Sequence, residues 1–294
     1  MVNGIINVYK EKGYTSFDVV AKLRGVYHQK KIGHTGTLDP DAEGVLPVCL
    51  GKATKVCDLL TDKDKEYEAV LLLGKETDTQ DISGKILAEA KVQASEEEVE
   101  RVIRSFIGAY DQIPPMYSAL KVEGQKLCDL ARKGITVERK ARNVQIYGIE
   151  IEKMDLPEVT IRVHCSKGTY IRTLCHDIGE KLGCHGCMKS LIRTRVSAFS
   201  LEEAHRLSEI EEKPTAWIMP VDVVFSSFEK AVVSDQAEKL IVNGNRISQD
   251  YLLNMKDFCK TDRIRFYRED GSFIGIYEYK EETFDFKPVK LFLE

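Results

Sequence analysis

Residues 33–51 read Gly33-His34-Thr35-Gly36-Thr37-Leu38-Asp39-Pro40-Asp41-Ala42-Glu43-Gly44-Val45-Leu46-Pro47-Val48-Cys49-Leu50-Gly51, a loop punctuated by glycine and proline that runs into an apolar segment. Glycine permits backbone geometries closed to other residues, and Pro40 confines Asp39 to extended conformations, so the Asp39 carboxylate is held in one orientation. Asp39 is therefore a candidate catalytic carboxylate, against the plainer reading that Asp-Pro only starts a turn. The segment 44–52 ends in Gly-Lys as a phosphate-binding loop does. Six residues rather than four separate its glycines, however, and Ala53 stands where a magnesium-binding Ser or Thr is required.

Outward from this loop, helical and extended patterns interleave without regular alternation. Thr15 and Ser16 can cap a helix over residues 17–27, with Phe17, Val20, Ala21 and Arg24 on one face. Residues 66–74 form a short apolar run that predicts a largely buried strand, and Val159, Ile161, Val163 and Cys165 alternate as a half-exposed one. Ser95 with Glu98 makes a capping box, Val99, Val102, Ile103 and Phe106 make an apolar stripe, and Gly108 supplies the stop. A second stripe, through Ile171, Leu174, Cys175, Ile178 and Leu182, predicts a helix over residues 170–182 that ends at Gly183. These patterns favour an α+β fold over strict βαβ alternation.

At 294 residues and 43% hydrophobic, the chain can bury about two domains. Composition shifts after residues 217–224. Ser234 can cap a helix over 235–242, and segments 263–268 and 272–279 flank a turn at Asp270-Gly271, so a small β-rich module is expected from about residue 226. The apolar stretches, such as residues 69–73, fall far short of the roughly 18 residues of a membrane span, and the first 13 residues lack a signal-peptide pattern. A cytoplasmic protein without membrane association is expected.

The eight cysteines are scattered, several of them in apolar segments (Cys49, Cys165, Cys175), and no disulfide is needed. Cys184-His185-Gly186-Cys187 has the spacing of half a zinc site without a second Cys or His pair at a suitable distance. With no dinucleotide fingerprint and no His-Glu-x-x-His helix, neither metal nor cofactor is expected. The formal charge of −4 conceals segregation. Residues 19–38 carry Lys22, Arg24, Lys30 and Lys31 and no acid; residues 121–142 carry seven Lys and Arg against three acids; acidic clusters lie at Glu96–Glu100 and Glu202–Glu212. A basic stripe on an acidic body can hold a polyanion, although a solvated charged surface is the blander reading.

The loop Gly33-His34-Thr35-Gly36-Thr37-Leu38-Asp39-Pro40 with Gly44-Val45-Leu46-Pro47 resembles the catalytic signature of the bacterial-type tRNA pseudouridine-55 synthases, the TruB family. Further blocks are similar and in the family's order: Lys65-Glu66-Tyr67; residues 74–84 with Thr77-Asp78-Thr79-Gln80-Asp81; residues 112–121; Lys167-Gly168-Thr169-Tyr170-Ile171-Arg172-Thr173-Leu174; and Leu191-Ile192-Arg193-Thr194-Arg195. The resemblance covers about residues 3–225 closely and the tail more loosely. It implies a pseudouridine synthase core over 1–225, with a mixed, mainly antiparallel sheet flanked by helices and an RNA-binding insertion around 110–145. Over 226–294 it implies a PUA-like RNA-binding domain.

The same resemblance implies isomerisation of uridine 55 in the TΨC stem-loop of tRNA, by a monomer without cofactor. It makes Asp39 the catalytic aspartate, Arg172 its ion-pair partner and Tyr67 the aromatic that stacks on the flipped uracil and acts as base. It puts His34 against the vacated stack, Asp81 near the flipped segment, and Tyr170 and Leu191 around the uracil. The chemistry suits one carboxylate, which can attack or assist departure at C1′ as in glycoside cleavage, with a guanidinium lowering its pKa by roughly 1–3 units. Taken singly, Tyr67 could be a core strand tyrosine, Arg172 a surface charge at a helix start and His34 a loop hydrogen-bonder. Cys128 stands where a tyrosine is usual and Ser197 where a glycine is. A non-catalytic RNA-binding protein is disfavoured by the intact Asp39, Tyr67 and Arg172 set, and a relative acting on ribosomal or small nuclear RNA with protein partners by the short tail. If the basic segments 19–38 and 121–142 contact phosphates, affinity for RNA should fall steeply with salt, each neutralised phosphate adding roughly 0.7–0.9 to the log-log slope. A filter-binding salt series checks this, and a flat profile contradicts it.

Overall fold

The computed structural model describes residues 1–254 and 263–293. Alternating side chains build its main sheet, whose strands run in the spatial order Gly4–Lys10, Glu43–Leu50, Gly186–Val196, Lys65–Leu73, Glu158–Cys165, Arg142–Asp155 and Gly108–Gln112. Ile32–His34 and Phe199–Ser200 pair at its side, making nine strands. Its pairings are antiparallel except one: Ile192 lies opposite Glu43 and Arg193 opposite Gly44 in parallel. The sheet is thus mixed and mainly antiparallel, as expected.

Helices cover it through apolar stripes. Val99 and Ile103 of helix Glu96–Arg104 and Ile171, Leu174, Cys175 and Ile178 of helix Ile171–Lys181 share a core with Tyr67, Ala69, Leu71, Ile161 and Val163. Val19, Val20, Leu23 and Tyr27 of helix Ser16–Tyr27 pack with Ile6, Val8, Leu46 and Val48. Gly179 makes the tightest of these contacts: a Cβ there would stand 2.1 Å from the Gly186 nitrogen, so helix Ile171–Lys181 touches the start of strand Gly186–Val196 backbone to backbone.

Several local expectations need correction. Phe17 is 63% exposed, because the buried face of its helix runs through Ser16, Val19, Val20 and Leu23, and Arg24 lies over the Phe17 ring. The helix capped by Ser95 ends at Arg104, and Gly108 opens the next strand instead of stopping the helix. The strand expected at 66–74 spans Lys65–Leu73 and is buried on alternate residues only, with Glu66 and Glu68 on the partly open face toward Arg162 and Arg195. The tail helix breaks into a 3-10 turn, Asp235–Ala237, and a short helix, Glu238–Val242. Ser197, where a glycine is usual, adopts φ 53, the left-handed backbone that favours glycine.

Residues 113–141 leave the main sheet between its paired strands Gly108–Gln112 and Arg142–Asp155 as a small hairpin and the helix Leu127–Arg132. The tail forms a second, five-stranded sheet in the order Glu229–Val232, Arg263–Tyr267, Phe273–Lys280, Asp285–Leu291 and Ile247–Ser248, the β-rich module expected there. Ala231, Ile241, Ile247, Phe266, Tyr277 and Phe286 are its core. Phe273, Ile276 and Phe292 dock it onto Ile5, Val45, Cys49, Ala53 and Val56, with Phe225 between them. No helix among the described residues is long and apolar enough to cross a membrane.

Because no side chain fits between Gly179 and Gly186, Gly179→Ala should destabilise the protein by about 3 kcal/mol, at the upper end for an overpacked contact. A urea-unfolding midpoint equal to that of the parent would contradict the helix–strand contact.

Candidate active site

The loop ahead of strand Glu43–Leu50 is pinned residue by residue. Thr35 N–H donates to Pro47 O at 3.2 Å and Ala42 N–H to Asp39 O at 3.1 Å. Leu38 N–H donates to Ser16 Oγ at 2.9 Å, while Leu38 and Ala42 side chains enter the core beside Tyr67. Lys10, fully buried, reaches under the turn and donates from Nζ to Ala42 O at 2.6 Å and Pro40 O at 3.1 Å. Burial pushes the Lys10 ammonium down to about 8. At Gly44 a Cβ would meet Arg193 O at 2.3 Å with φ 104, so glycine is required where the loop crosses strand Gly186–Val196.

This pinning brings Asp39 to the rim of a cleft of about 620 Å³, whose wall includes Tyr67, Tyr170, Arg172, Leu191 and Arg193. Asp39 Oδ2 lies 3.1 Å from Nε of Arg172. The Arg172 guanidinium is buried, so the reading as a surface charge at a helix start is wrong. Its Nη1 donates to Thr79 O at 3.0 Å and lies 3.5 Å from Asp81 Oδ2; its Nη2 donates to Tyr117 O at 2.9 Å. The Asp39 pKa is nevertheless raised, contrary to the lowering expected from an arginine partner. Burial in the cleft is the larger influence, and Asp81 and Asp41 add repulsion to what Arg172 and Lys10 relieve.

Tyr67 stands on the inward face of strand Lys65–Leu73, directly opposite Arg193. The guanidinium beside its phenol is that of Arg193, not Arg172; burial raises the Tyr67 pKa and Arg193 opposes the rise. Arg193 is itself almost fully buried and donates from Nε to Val45 O at 2.7 Å and from Nη2 to Gly36 O at 3.3 Å, tying Tyr67's neighbour to the loop that carries Asp39. Leu191, two residues earlier on the same strand, closes the cleft from the apolar side. Tyr170 is clamped by Gln112, whose Oε1 accepts from the Tyr170 N–H at 2.8 Å and whose Nε2 donates to its carbonyl at 3.0 Å.

Two expected site residues lie outside this wall. His34 Nδ1 accepts from Gly36 N–H at 3.3 Å, the loop hydrogen-bonding role, and burial with the Arg193 charge lowers its pKa. Asp81 orders its own turn, accepting at Oδ1 from Thr79 Oγ1 at 2.8 Å and Ser83 N–H at 3.0 Å, and reaches the site through Arg172. Sequence reasoning overlooked three buried cations: Arg193, Lys10 and Lys65. Lys65 Nζ donates to Thr61 O and Lys63 O at 2.6 Å each, and burial lowers it to about 8. The signal was available, since each occupies an inward position among largely apolar inward neighbours, where a charge survives only with partners.

Family models match nearly the whole core: "TruB family pseudouridylate synthase (N terminal domain)" over residues 24–171 and "tRNA pseudouridylate synthase B C-terminal domain" over residues 172–226. The chain is 56% identical to tRNA pseudouridine synthase B of Lachnoclostridium phytofermentans, over 99% of this chain and 100% of that one. It is 46% identical to the protein of the same name from Alkaliphilus oremlandii, over 99% and 97%. Among solved structures it is similar to one described as a Cbf5-Nop10-Gar1 complex, with TM-score 0.72 and 26% identity over 99% of this chain and 85% of that one. A structure of an H/ACA RNP bound to a substrate RNA containing 2′-deoxyuridine shares the fold, with TM-score 0.73 and 24% identity over 99% and 85%. A pinned loop aspartate facing a buried arginine across an aromatic cleft, together with these matches, identifies the chain as a member of the TruB family of pseudouridylate synthases.

Proposed function

We propose that this chain converts uridine 55, in the TΨC arm of tRNA, to pseudouridine, with Asp39 as the reacting carboxylate. The observation that carries the reading is Asp39 held 3.1 Å from Arg172 at the rim of a cleft walled by Tyr67, Tyr170 and Leu191. The relatives' name supplies the substrate class.

The reaction breaks the N1–C1′ bond, turns the uracil and forms C5–C1′, after which the C5 proton leaves. It needs no net electron transfer, and one oriented carboxylate can carry it. The base must first leave the RNA stack at a cost of a few kcal/mol, which stacking on the Tyr67 ring offsets, with Leu191 and Tyr170 holding the uracil edges. Arg172 pairs with the ionised Asp39 and keeps it aimed into the cleft. Arg193 is the group that can stabilise the Tyr67 phenolate, the form that accepts the C5 proton and becomes the neutral phenol. Residues 1–225 form the catalytic unit, the excursion around 110–145 and the module over 226–294 grip the RNA, and the enzyme works as a cytoplasmic monomer.

Asp39 must be ionised to react, and its pKa is raised from the ordinary carboxylate value of about 3.9, so turnover should rise with pH through that higher value. The acid limb of the single-turnover rate should therefore lie above that of an exposed aspartate, and Asp39→Asn should bind tRNA normally yet lose turnover at every pH. Residual activity above about 1% in this variant would exclude the nucleophile role. Tyr67→Phe keeps the aromatic face, so it should bind tRNA with near-parental affinity while tritium release from 5-tritiated uridine becomes very slow. Normal tritium release in that variant would leave Tyr67 a stacking role only.

A further inference from the structure

Cys184-His185-Gly186-Cys187 does not form half a zinc site in the folded chain, because both cysteines are buried and the imidazole turns elsewhere. His185 adopts φ 61 between helix Ile171–Lys181 and strand Gly186–Val196 and presents Nδ1 to two carboxylates. Glu180 Oε1 is 2.7 Å away and Glu76 Oε2 3.5 Å. Each of the three residues offers one ligand atom, and these atoms all lie within 4.8 Å of one another. A single Nδ1–H satisfies one carboxylate and leaves the second convergent charge without a partner on that ring.

We propose that Glu76, Glu180 and His185 bind one divalent transition-metal ion of the zinc type, at a site separate from the cleft. An ion takes imidazole nitrogen and carboxylate oxygen at about 2.0–2.2 Å, which places donors in a tetrahedral shell about 3.3 Å apart. Small side-chain rotations bring the present spacing to that value. Two carboxylates and a neutral imidazole match a dication. The imidazole favours zinc, nickel or cobalt over magnesium and calcium, which prefer oxygen shells. The side chains retain 27–46% exposure, so the ion can enter and water can complete its shell.

The ligands sit on a rigid frame. Gly74 N–H donates to His185 O at 3.1 Å and Cys184 N–H to Gly179 O at 3.1 Å, and the backbones of Gly179 and Gly186 touch. The ion would brace three segments whose other ends form the candidate active site. Glu76 lies on strand Lys75–Thr77, which leads to Asp81; Glu180 closes the helix that begins beside Arg172; His185 precedes the strand that carries Leu191 and Arg193. Its role is bracing, without contact to the reacting uridine.

The test is calorimetric titration of zinc chloride into EDTA-stripped protein under reducing conditions, with thermal melting in parallel. One ion per chain should bind with micromolar affinity and raise the melting temperature. Glu180→Gln, which preserves a hydrogen-bond acceptor, and His185→Asn, which tolerates positive φ, should each weaken binding by about tenfold or more while melting as the parent does without zinc. The double change Cys57→Ser with Cys128→Ser should leave binding intact. Absence of binding at submillimolar zinc, parental affinity in the Glu180 and His185 variants, loss of binding in the thiol variant, or displacement of zinc by magnesium would each overturn the assignment.

Discussion

A guanidinium cannot be taken out of water alone. Arg172 is 5% exposed, and several kcal/mol of lost hydration must be offset by acceptors placed around it. Those acceptors come from three chain segments besides its own: Asp39 from the first loop, Thr79 O and Asp81 from the 77–81 turn, and Tyr117 O from the excursion before strand Arg142–Asp155. Burial of one charge therefore dictates where these distant pieces meet. The cleft is what remains between them.

The other buried cations extend the same logic. Lys10, Lys65 and Arg193 donate to backbone carbonyls, and carboxylates stand near the two lysines: Glu43, Asp39 and Asp41 act on Lys10, Asp64 and Asp62 on Lys65. Asp39 has its pKa raised beside two of the buried cations, because loss of water, with repulsion from Asp81 and Asp41, acts against the attraction of Arg172 and Lys10.

The fold was legible from the chain where local signals were redundant. The Ser95-capped helix and the helix beginning after Tyr170 each carried an apolar stripe beside a glycine, the strands around Tyr67 and Val163 an apolar or alternating run, and the β-rich tail a cap and a turn. Boundaries failed where the terminator was glycine used for something else, as at Gly108, which opens a strand. Asp39, Arg172, Tyr67, Tyr170 and Leu191 were anticipated from motif resemblance and do converge, whereas His34 turns toward its own loop and Asp81 meets the site only through Arg172. The Tyr67–Arg193 pairing was out of reach, because it follows from register across two strands 126 residues apart in sequence, which periodicity does not encode.

The parallel seam of Glu43 with Ile192 and Gly44 with Arg193 has a temporal consequence. It joins the first strands of the chain to a strand synthesised nearly 150 residues later, and Arg193 on that strand is what holds Gly36 and Val45. Strands Gly4–Lys10, Ile32–His34 and Glu43–Leu50 pair locally, whereas the loop bearing Asp39 depends on that later strand for its hold. Nascent chains that have not yet reached Arg193 thus have no assembled cleft, because the contacts that hold Gly36 and Val45 do not exist before it.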